Sequence, residues 1–386
     1  MGINVILDRC QRWRYNRAEC ALCLKACPVE ACIQYSDDKT IHINNETCLT
    51  CGICAAECPT NALTIEGLTG SDLWEKLRSE EKNLAFACTL NKNDNDVHVS
   101  RQAYKYDFPE SASLKMITLP CIGILNESYL ASLILSGAEK IYLDLNSCGE
   151  CRIEQGSRII EKNISFARSL LSALGHDGRI ITDIPKTQTS RDKVKGINVK
   201  NISPEKGYSR RELFTNLIGS RSDKPPVINN ELPDNRKVLL DALAEYERAP
   251  LSTLNEGEFP IHQLDINENC TLCYSCELFC PTGALKRIEN NDEEVRIDFR
   301  VSLCMGCYQC RELCHRDALQ YRELISLEDL ITDKTGTLIR KIKNSCSRCG
   351  KLYISEISSD VCLKCMKKER VERDIMSILT MRGGEE

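Results

Sequence analysis

Twenty-five cysteines in 386 residues put the chemistry of this chain in its thiols. The densest stretch starts at Cys270 as C-T-L-C-Y-S-C-E-L-F-C-P and resumes at Cys304 as C-M-G-C-Y-Q-C-R-E-L-C-H. Each half carries three cysteines separated by two residues and a fourth after three more. That spacing lets Cys270, Cys273 and Cys276 hold three corners of one [4Fe–4S] cube while Cys280 reaches a second cube. Cys314 returns to complete the first set, and Cys304, Cys307, Cys310 and Cys280 make up the second. Pro281 turns the chain out of the site, because proline fixes φ and has no N–H. A zinc or disulfide framework competes for any single run of this kind; the tandem repeat weighs against it.

The same signature stands near the N-terminus. Cys48, Cys51, Cys54 and Cys58, followed by Pro59, repeat the full run, whereas Cys20, Cys23 and Cys27 with Pro28 match only its last three cysteines. Arg17 occupies the place of the missing ligand, and Cys10 is the natural substitute. One set is then Cys10, Cys20, Cys23 and Cys58, and the other Cys27, Cys48, Cys51 and Cys54. A three-cysteine site holding [3Fe–4S], or nothing, stays open as the alternative. The cysteine–proline corners open parallel phrases, C-P-V-E-A-C, C-P-T-N-A-L and C-P-T-G-A-L, which align Cys32 with Leu63 and Leu285. Cys32 therefore reads as a small buried apolar residue rather than a ligand. Short apolar segments, I-H-I at 41–43 and R-I-D-F at 296–299, read as paired strands. Both stretches resemble bacterial-type ferredoxins with two [4Fe–4S] clusters each. The resemblance implies ferredoxin-like modules over residues 1–66 and 261–322, four cubanes and one-electron chemistry.

Between them, residues 67–185 alternate strand-like runs (L-A-F-A at 84–87, K-M-I-T-L at 115–119, I-Y-L-D-L at 141–145, R-I-I-T at 179–182) with helical stretches, notably Glu127 to Leu135 and Ser157 to Leu174. Such alternation predicts a small α/β domain with a parallel sheet. Cys88, Cys121, Cys148 and Cys151 fall just beyond predicted strand ends, where such sheets place their sites, and could converge on a [2Fe–2S] cluster. Four idle thiols are the bland alternative. The phrases C-I-G-I-L, S-G-A-E-K-I-Y-L and S-C-G-E-C-R-I-E-Q-G resemble the delta subunit of methyl-viologen-reducing hydrogenase. That resemblance implies a docking and relay domain serving a heterodisulfide reductase-, hydrogenase- or formate dehydrogenase-like partner. The chain departs from that family's pattern after Cys88, where T-L-N-K stands.

Residues 186–260 are polar, broken by K-P-P and E-R-A-P, and read as a linker with short helices, one from Arg236 to Tyr246. S-R-R-E-L-F has the letters of a twin-arginine export motif, but no apolar run follows, so it reads as a helix start capped by Ser209. T-D-K-T-G-T-L at 332–338 matches the phosphorylated-aspartate motif of P-type ATPases, which would make Asp333 a nucleophile. Without a membrane domain beside it the match reads as a turn. Residues 323–386 end with Cys346-x-x-Cys349 and Cys362-x-x-Cys365, a spacing for one tetrahedral ion on four thiolates. Zinc in a ribbon is favoured over rubredoxin-type iron. M-K-K-E-R-V-E-R-D-I-M-S-I-L behind it predicts an amphipathic helix whose basic cluster, Lys364, Lys367, Lys368 and Arg370, reads as a solvated face.

Composition sets outer bounds. Apolar residues are 42% of the chain, cysteines included, so conventional cores are thin and metal sites are the evident staples. The net charge of −5 argues against a nucleic-acid surface. No secretory leader or membrane-spanning run is evident, and paired cysteines without a leader point to a reducing cytoplasm. There is no glycine-rich phosphate loop after a strand and no hydrolase constellation, so no small-molecule substrate is evident. His42, His98, His176, His262 and His315 are scattered; His315, in the place of a proline after Cys314, could tune its cluster. The expectation is an α+β multidomain chain: two ferredoxin-like modules, an α/β domain and a zinc ribbon. It would relay electrons between redox protein subunits of a soluble complex in an anaerobe's cytoplasm, using four [4Fe–4S] clusters, one [2Fe–2S] cluster and Zn2+. A redox-sensing regulator or maturation factor is the competing expectation. Every cysteine but Cys32 then has a site.

Overall fold

In a computed structural model of the chain, residues 2–15, 18–36, 40–68, 70–88, 114–145, 148, 151, 153–182, 232–246, 252–290, 294–354 and 360–382 are described. Helices and sheets are mixed in an α+β multidomain arrangement that includes a parallel sheet. That sheet orders its strands Leu114–Leu119, Asn83–Cys88, Lys140–Leu143 and Ile180–Ile181, every neighbouring pair parallel. Parallel neighbours need crossovers, and helices packed on one face bury Leu84, Phe86, Leu119, Ile141 and Leu143 almost wholly. The helix Glu127–Leu135 has the predicted bounds because Asn126 caps it, accepting from Tyr129 N–H at 3.1 Å. The helix Glu154–Ala173 starts three residues before the predicted Ser157 and packs an apolar stripe, Ile160, Ile164, Ala167, Leu170 and Leu171, on the sheet. The register sets Cys88 opposite Leu119, so Cys88 and Cys121 emerge at one edge of the sheet.

The two cysteine-rich regions share one plan of antiparallel strand pairs. In the first, Ile3–Val5 pairs with Leu63–Ile65, and Ile33–Tyr35 with Ile41–Ile43. In the second, Leu264–Ile266 pairs with Leu319–Tyr321, and Leu285–Asn290 with Glu294–Arg300. A further strand, Thr335–Ile342, joins the second sheet. This strand contains most of the segment expected as a turn; only its start is one, with Asp333 at φ 52°. Asp333 accepts from Arg300 Nε at 3.2 Å, and from Arg300 Nη2 and Ser302 Oγ, so its carboxylate serves structure.

Residues 186–231 and 247–251 of the expected linker, with Ser209 and its helix start, lie outside the described residues. The rest of that stretch is packed. The helix Asp234–Ala244, slightly upstream of its predicted span, buries Arg236, Leu239, Ala242 and Leu243, and Thr253–Asn255 pairs with Leu324–Ser326. Beyond, Asn344–Ser345 pairs with Leu352–Tyr353 and the helix Leu363–Arg382 follows. That helix forms as expected, but its Val371 and Ile375 are exposed instead of buried on an apolar side. Among the described residues no helix is long and apolar enough to cross a membrane.

Candidate metal centres

Short helices carry the cysteine runs: Leu22–Ala26, Ile53–Ala56, Ser275–Phe279 and Gln309–Glu312. Each helix holds one thiol of its run, Cys23, Cys54, Cys276 and Cys310 in turn, and the flanking loops supply the others. Burial pushes the Cys23 thiol up to about 11, and the neighbouring charges of Cys58, Cys20 and Cys10 push the same way. Burial likewise raises Cys10 and Cys20, each of which faces Cys58. Cys10 therefore sits beside the three cysteines it was expected to join. The second N-terminal set behaves alike: burial raises Cys51 to about 11, with Cys27 and Cys48 adding to it, and burial also raises Cys54, with Cys51, Cys23, Cys27 and Cys48 adding to it. Cys27, Cys48, Cys51 and Cys54 line one common pocket.

The later region repeats this. Cys270, Cys273, Cys276 and Cys314 line one common pocket, with His315 in its wall. Burial lifts Cys276 to about 12, assisted by Cys270, Cys273 and Cys314. Burial also lifts Cys304 to about 11, and Cys307 and Cys310 rise too; all three face Cys280. Thiols this close resist losing their protons unless a cation replaces them, which is the behaviour of a metal donor set. Groups of four neighbouring sulfurs suit an iron–sulfur cube.

Backbone N–H groups are aimed at these sulfurs. Ala62 donates to Cys58 Sγ at 3.2 Å, Ala284 to Cys280 Sγ at 3.2 Å and Ala318 to Cys314 Sγ at 3.3 Å. The shared alanine four residues after the cysteine is thus a donor position, reached because Asn61, Gly283 and Asp317 adopt positive φ. His315 leaves this turn intact. Such bonds stabilise thiolate and help to set potential. Nothing in the cysteine spacing points to Tyr35; its hydroxyl donates to Cys20 O at 3.1 Å and lies 3.4 Å from Cys23 Sγ, beneath the Arg12 guanidinium. Cys32 is 2% exposed, as its alignment with leucines predicts, but it also lines the Cys27 pocket, its thiol donating to Asn44 O at 3.6 Å.

At the sheet edge, Cys88 and Cys121 share a hydrogen bond that lowers the first and raises the second. Ile122 N–H donates to Cys88 Sγ at 3.2 Å, Gly123 N–H to Cys121 Sγ at 3.3 Å and Ile153 N–H to Cys151 Sγ at 3.4 Å. Burial brings Cys148 to about 12, with Cys88 and Cys151 as its nearest thiol neighbours. Nearer the C-terminus, one ligand atom from each of Cys346, Cys349, Cys362 and Cys365 lies within 4.8 Å of the others. Cys362 N–H donates to Cys346 Sγ at 3.3 Å, and that bond is the main reason the Cys346 thiol falls to about 6.

Comparison with known proteins agrees with this donor chemistry. Residues 18–63 match the 4Fe-4S dicluster domain, 84–195 the delta subunit of methyl-viologen-reducing hydrogenase, and 265–286 the 4Fe-4S binding domain. A ferredoxin of Methanothermococcus thermolithotrophicus is 31% identical over 65 residues, covering 98% of that protein and 17% of this chain. The chain belongs to the ferredoxin family. This ferredoxin-family chain is also similar to the vhu iron-sulfur subunit of an F420-non-reducing hydrogenase of Methanocaldococcus jannaschii, 29% identical over 96 residues, 25% of this chain and 72% of that relative. With the pyruvate synthase subunit PorD of the same organism it is 36% identical over 53 residues, 14% of this chain and only 57% of that relative's length.

What the cysteine spacing does not disclose is how the groups adjoin. Cys310 has Cys276 among its neighbours, Cys54 has Cys23, and Cys121 has Cys51. Between the two cysteine-rich regions, the Tyr15 ring lies 4.8 Å from that of Phe279, and Arg14 faces Cys280 and Cys307. At the other junction Ile53, wholly buried, packs with Cys51, Cys121 and Ile153.

Proposed function

We propose that this chain is an iron–sulfur electron-transfer subunit that relays electrons between a donor and a catalytic partner subunit of an anaerobic cytoplasmic redox complex. Its units would be ferredoxin-like modules at 1–66 and 261–322, a hydrogenase-delta-like domain at 67–185, a connecting stretch at 186–260 and a zinc ribbon at 323–386. Four [4Fe–4S] clusters would be held by Cys10, Cys20, Cys23 and Cys58; by Cys27, Cys48, Cys51 and Cys54; by Cys270, Cys273, Cys276 and Cys314; and by Cys280, Cys304, Cys307 and Cys310. Cys88, Cys121, Cys148 and Cys151 would hold a [2Fe–2S] cluster, and Cys346, Cys349, Cys362 and Cys365 zinc. The clusters supply reversible one-electron transfer when bound.

The single observation that carries this reading is the succession of neighbouring thiol groups. It begins at Cys270, passes to the Cys304 group, across Tyr15 and Phe279 to the Cys10 group, then to the Cys51 group and the sheet edge at Cys121. The protein's part is to hold those groups adjacent, exclude water from them and aim N–H donors at their sulfurs. The names of the hydrogenase and pyruvate synthase relatives support a partner of the same oxidoreductase class. Anaerobic purification with metal analysis tests the proposal: four cubes and a two-iron centre require about 18 irons and one zinc per chain, with paramagnetic signals on reduction. Folded protein that is colourless and free of iron overturns it.

A further inference from the structure

Arg236 lies at 0% exposure on the Asp234–Ala244 helix, outside every cysteine run. Its Nε donates to Met305 Sδ at 3.3 Å and its Nη2 to Pro260 O at 3.1 Å, and its guanidinium stands 5.5 Å from the Phe259 ring. All three partners are neutral, and Nη1 has no hydrogen-bond partner. The charged groups it faces are the Glu127 carboxyl and the Cys304 thiol. Glu127 is itself buried, a setting that favours its neutral acid. A desolvated guanidinium needs an anion, and one carboxyl that resists ionisation is a poor one. Four thiolates around an iron–sulfur centre carry net negative charge, which grows by one on reduction. A nearby cation in low dielectric therefore favours the reduced form and raises the potential.

A second guanidinium serves the same group, since Arg14, half-buried, faces Cys280 and Cys307. The other cubane sites have lesser cations: Arg12 beside Cys10, and Lys341, whose Nζ donates to Cys270 O at 2.6 Å. Both of those are partly exposed, as Arg14 is, so solvent weakens their field, whereas Arg236 is wholly buried. At the sheet edge the balance reverses, with Asp144 near Cys88 and Cys148 and Glu161 near Cys148.

We propose that Arg236 and Arg14 make the Cys280, Cys304, Cys307 and Cys310 centre the most readily reduced of the four cubane sites, so that electrons collect one step short of the Cys270 end of the relay. This rests on the relay reading and adds a resting place and a direction: electrons entering at the sheet edge run downhill to Cys304. Arg236 is a tuning residue, reaching no substrate itself.

The test is a reductive titration of the anaerobically purified full chain, followed by paramagnetic resonance, for the parent and for Arg236→Met, Arg236→Lys and Arg14→Gln. In Arg236→Met the first cubane signal to appear in the parent moves to lower potential. Its reduced-to-oxidised ratio at fixed potential falls at least tenfold, or 59 mV for a one-electron couple. Arg236→Lys, which keeps the charge, recovers most of that shift, and Arg14→Gln moves the same signal the same way. Unmoved midpoints in folded, iron-replete Arg236→Met overturn the proposal, as does a shift equally large in Arg236→Lys, which marks a packing role. If Arg236→Met does not fold, Arg14→Gln decides: no shift in the first signal overturns it. A parent protein without reducible signals overturns the relay reading itself, and this inference with it.

Discussion

The cysteine-rich regions at 2–66 and 261–322 use the same strand pairs and the same thiol-directed alanine N–H groups, yet they complete their sites differently. In the later region two full runs supply all eight thiols from sequence-local spacing, with the strand Thr335–Ile342 bracing the sheet. In the first region one run lacks a member, and Cys10 is carried in by the N-terminal segment, which is pinned by the pairing of Ile3–Val5 with Leu63–Ile65. On the proposed ligand sets, one region is closed by spacing and the other by a strand that delivers one distant residue. The second way makes the site depend on the fold.

The sharpest way to break the comparison is Cys10→Ala. It removes one N-terminal cubane, about four irons, or converts it to a three-iron form, while the signals of the later region persist; an unchanged spectrum means that Cys10 is no ligand. Next come two glycines at matching junctions. Gly306 has φ 61°, and a Cβ there would meet the Pro260 carbonyl carbon at 2.7 Å, backbone that cannot move aside. Gly306→Ala should cost about 3 kcal/mol, read by denaturant unfolding. Gly52 has φ 80°, and its Cβ would meet Ile124 Cδ1 at 2.7 Å, a side chain that can turn away. Gly52→Ala should cost about 1–2 kcal/mol; the reverse ranking would mean that the Ile124 junction is the more rigid.

A weaker distinction is pH dependence. His262, beside Glu256 Oε1 at 2.6 Å and stacked 4.2 Å from Tyr321, is held below the usual histidine range by burial. Its unfolded form protonates first as pH drops through about 6.5, so stability falls with falling pH, by at most about 1.4 kcal/mol per unit. His262→Gln should flatten that slope in unfolding curves taken from pH 7 downward. The smallest effect belongs to the exposed pair of Arg322 with Asp265 at 2.6 Å, across the strands of the later region. Asp265→Asn should cost about 0.5 kcal/mol or less, and a larger loss in the same assay would make the pair part of the site's support.

Much of the local structure is legible along the chain. The bounds of Glu127–Leu135 follow from the Asn126 cap and an apolar run, and the four central strands stand where branched apolar residues cluster. The segment at 332–338 reads as a turn because the signals at Asp333 and Gly336 hide a strand whose partner is remote in sequence. The packed helix at Asp234–Ala244 reads as a tether because its polar composition conceals the burial of Arg236.

By itself the sequence determined the pattern of the chemistry: thiols at iron–sulfur spacing, two paired knuckles, and Cys32 set apart by its alignment with leucines. These are local facts, since neighbours along a chain remain neighbours in any fold. Tertiary structure alone decided which groups adjoin: Cys10 beside Cys58, Cys51 beside Cys121, Tyr15 against Phe279, and a buried guanidinium at Cys304. Those distances come from surfaces remote in sequence packing together, and strand register and burial, which no spacing along the chain encodes, set them.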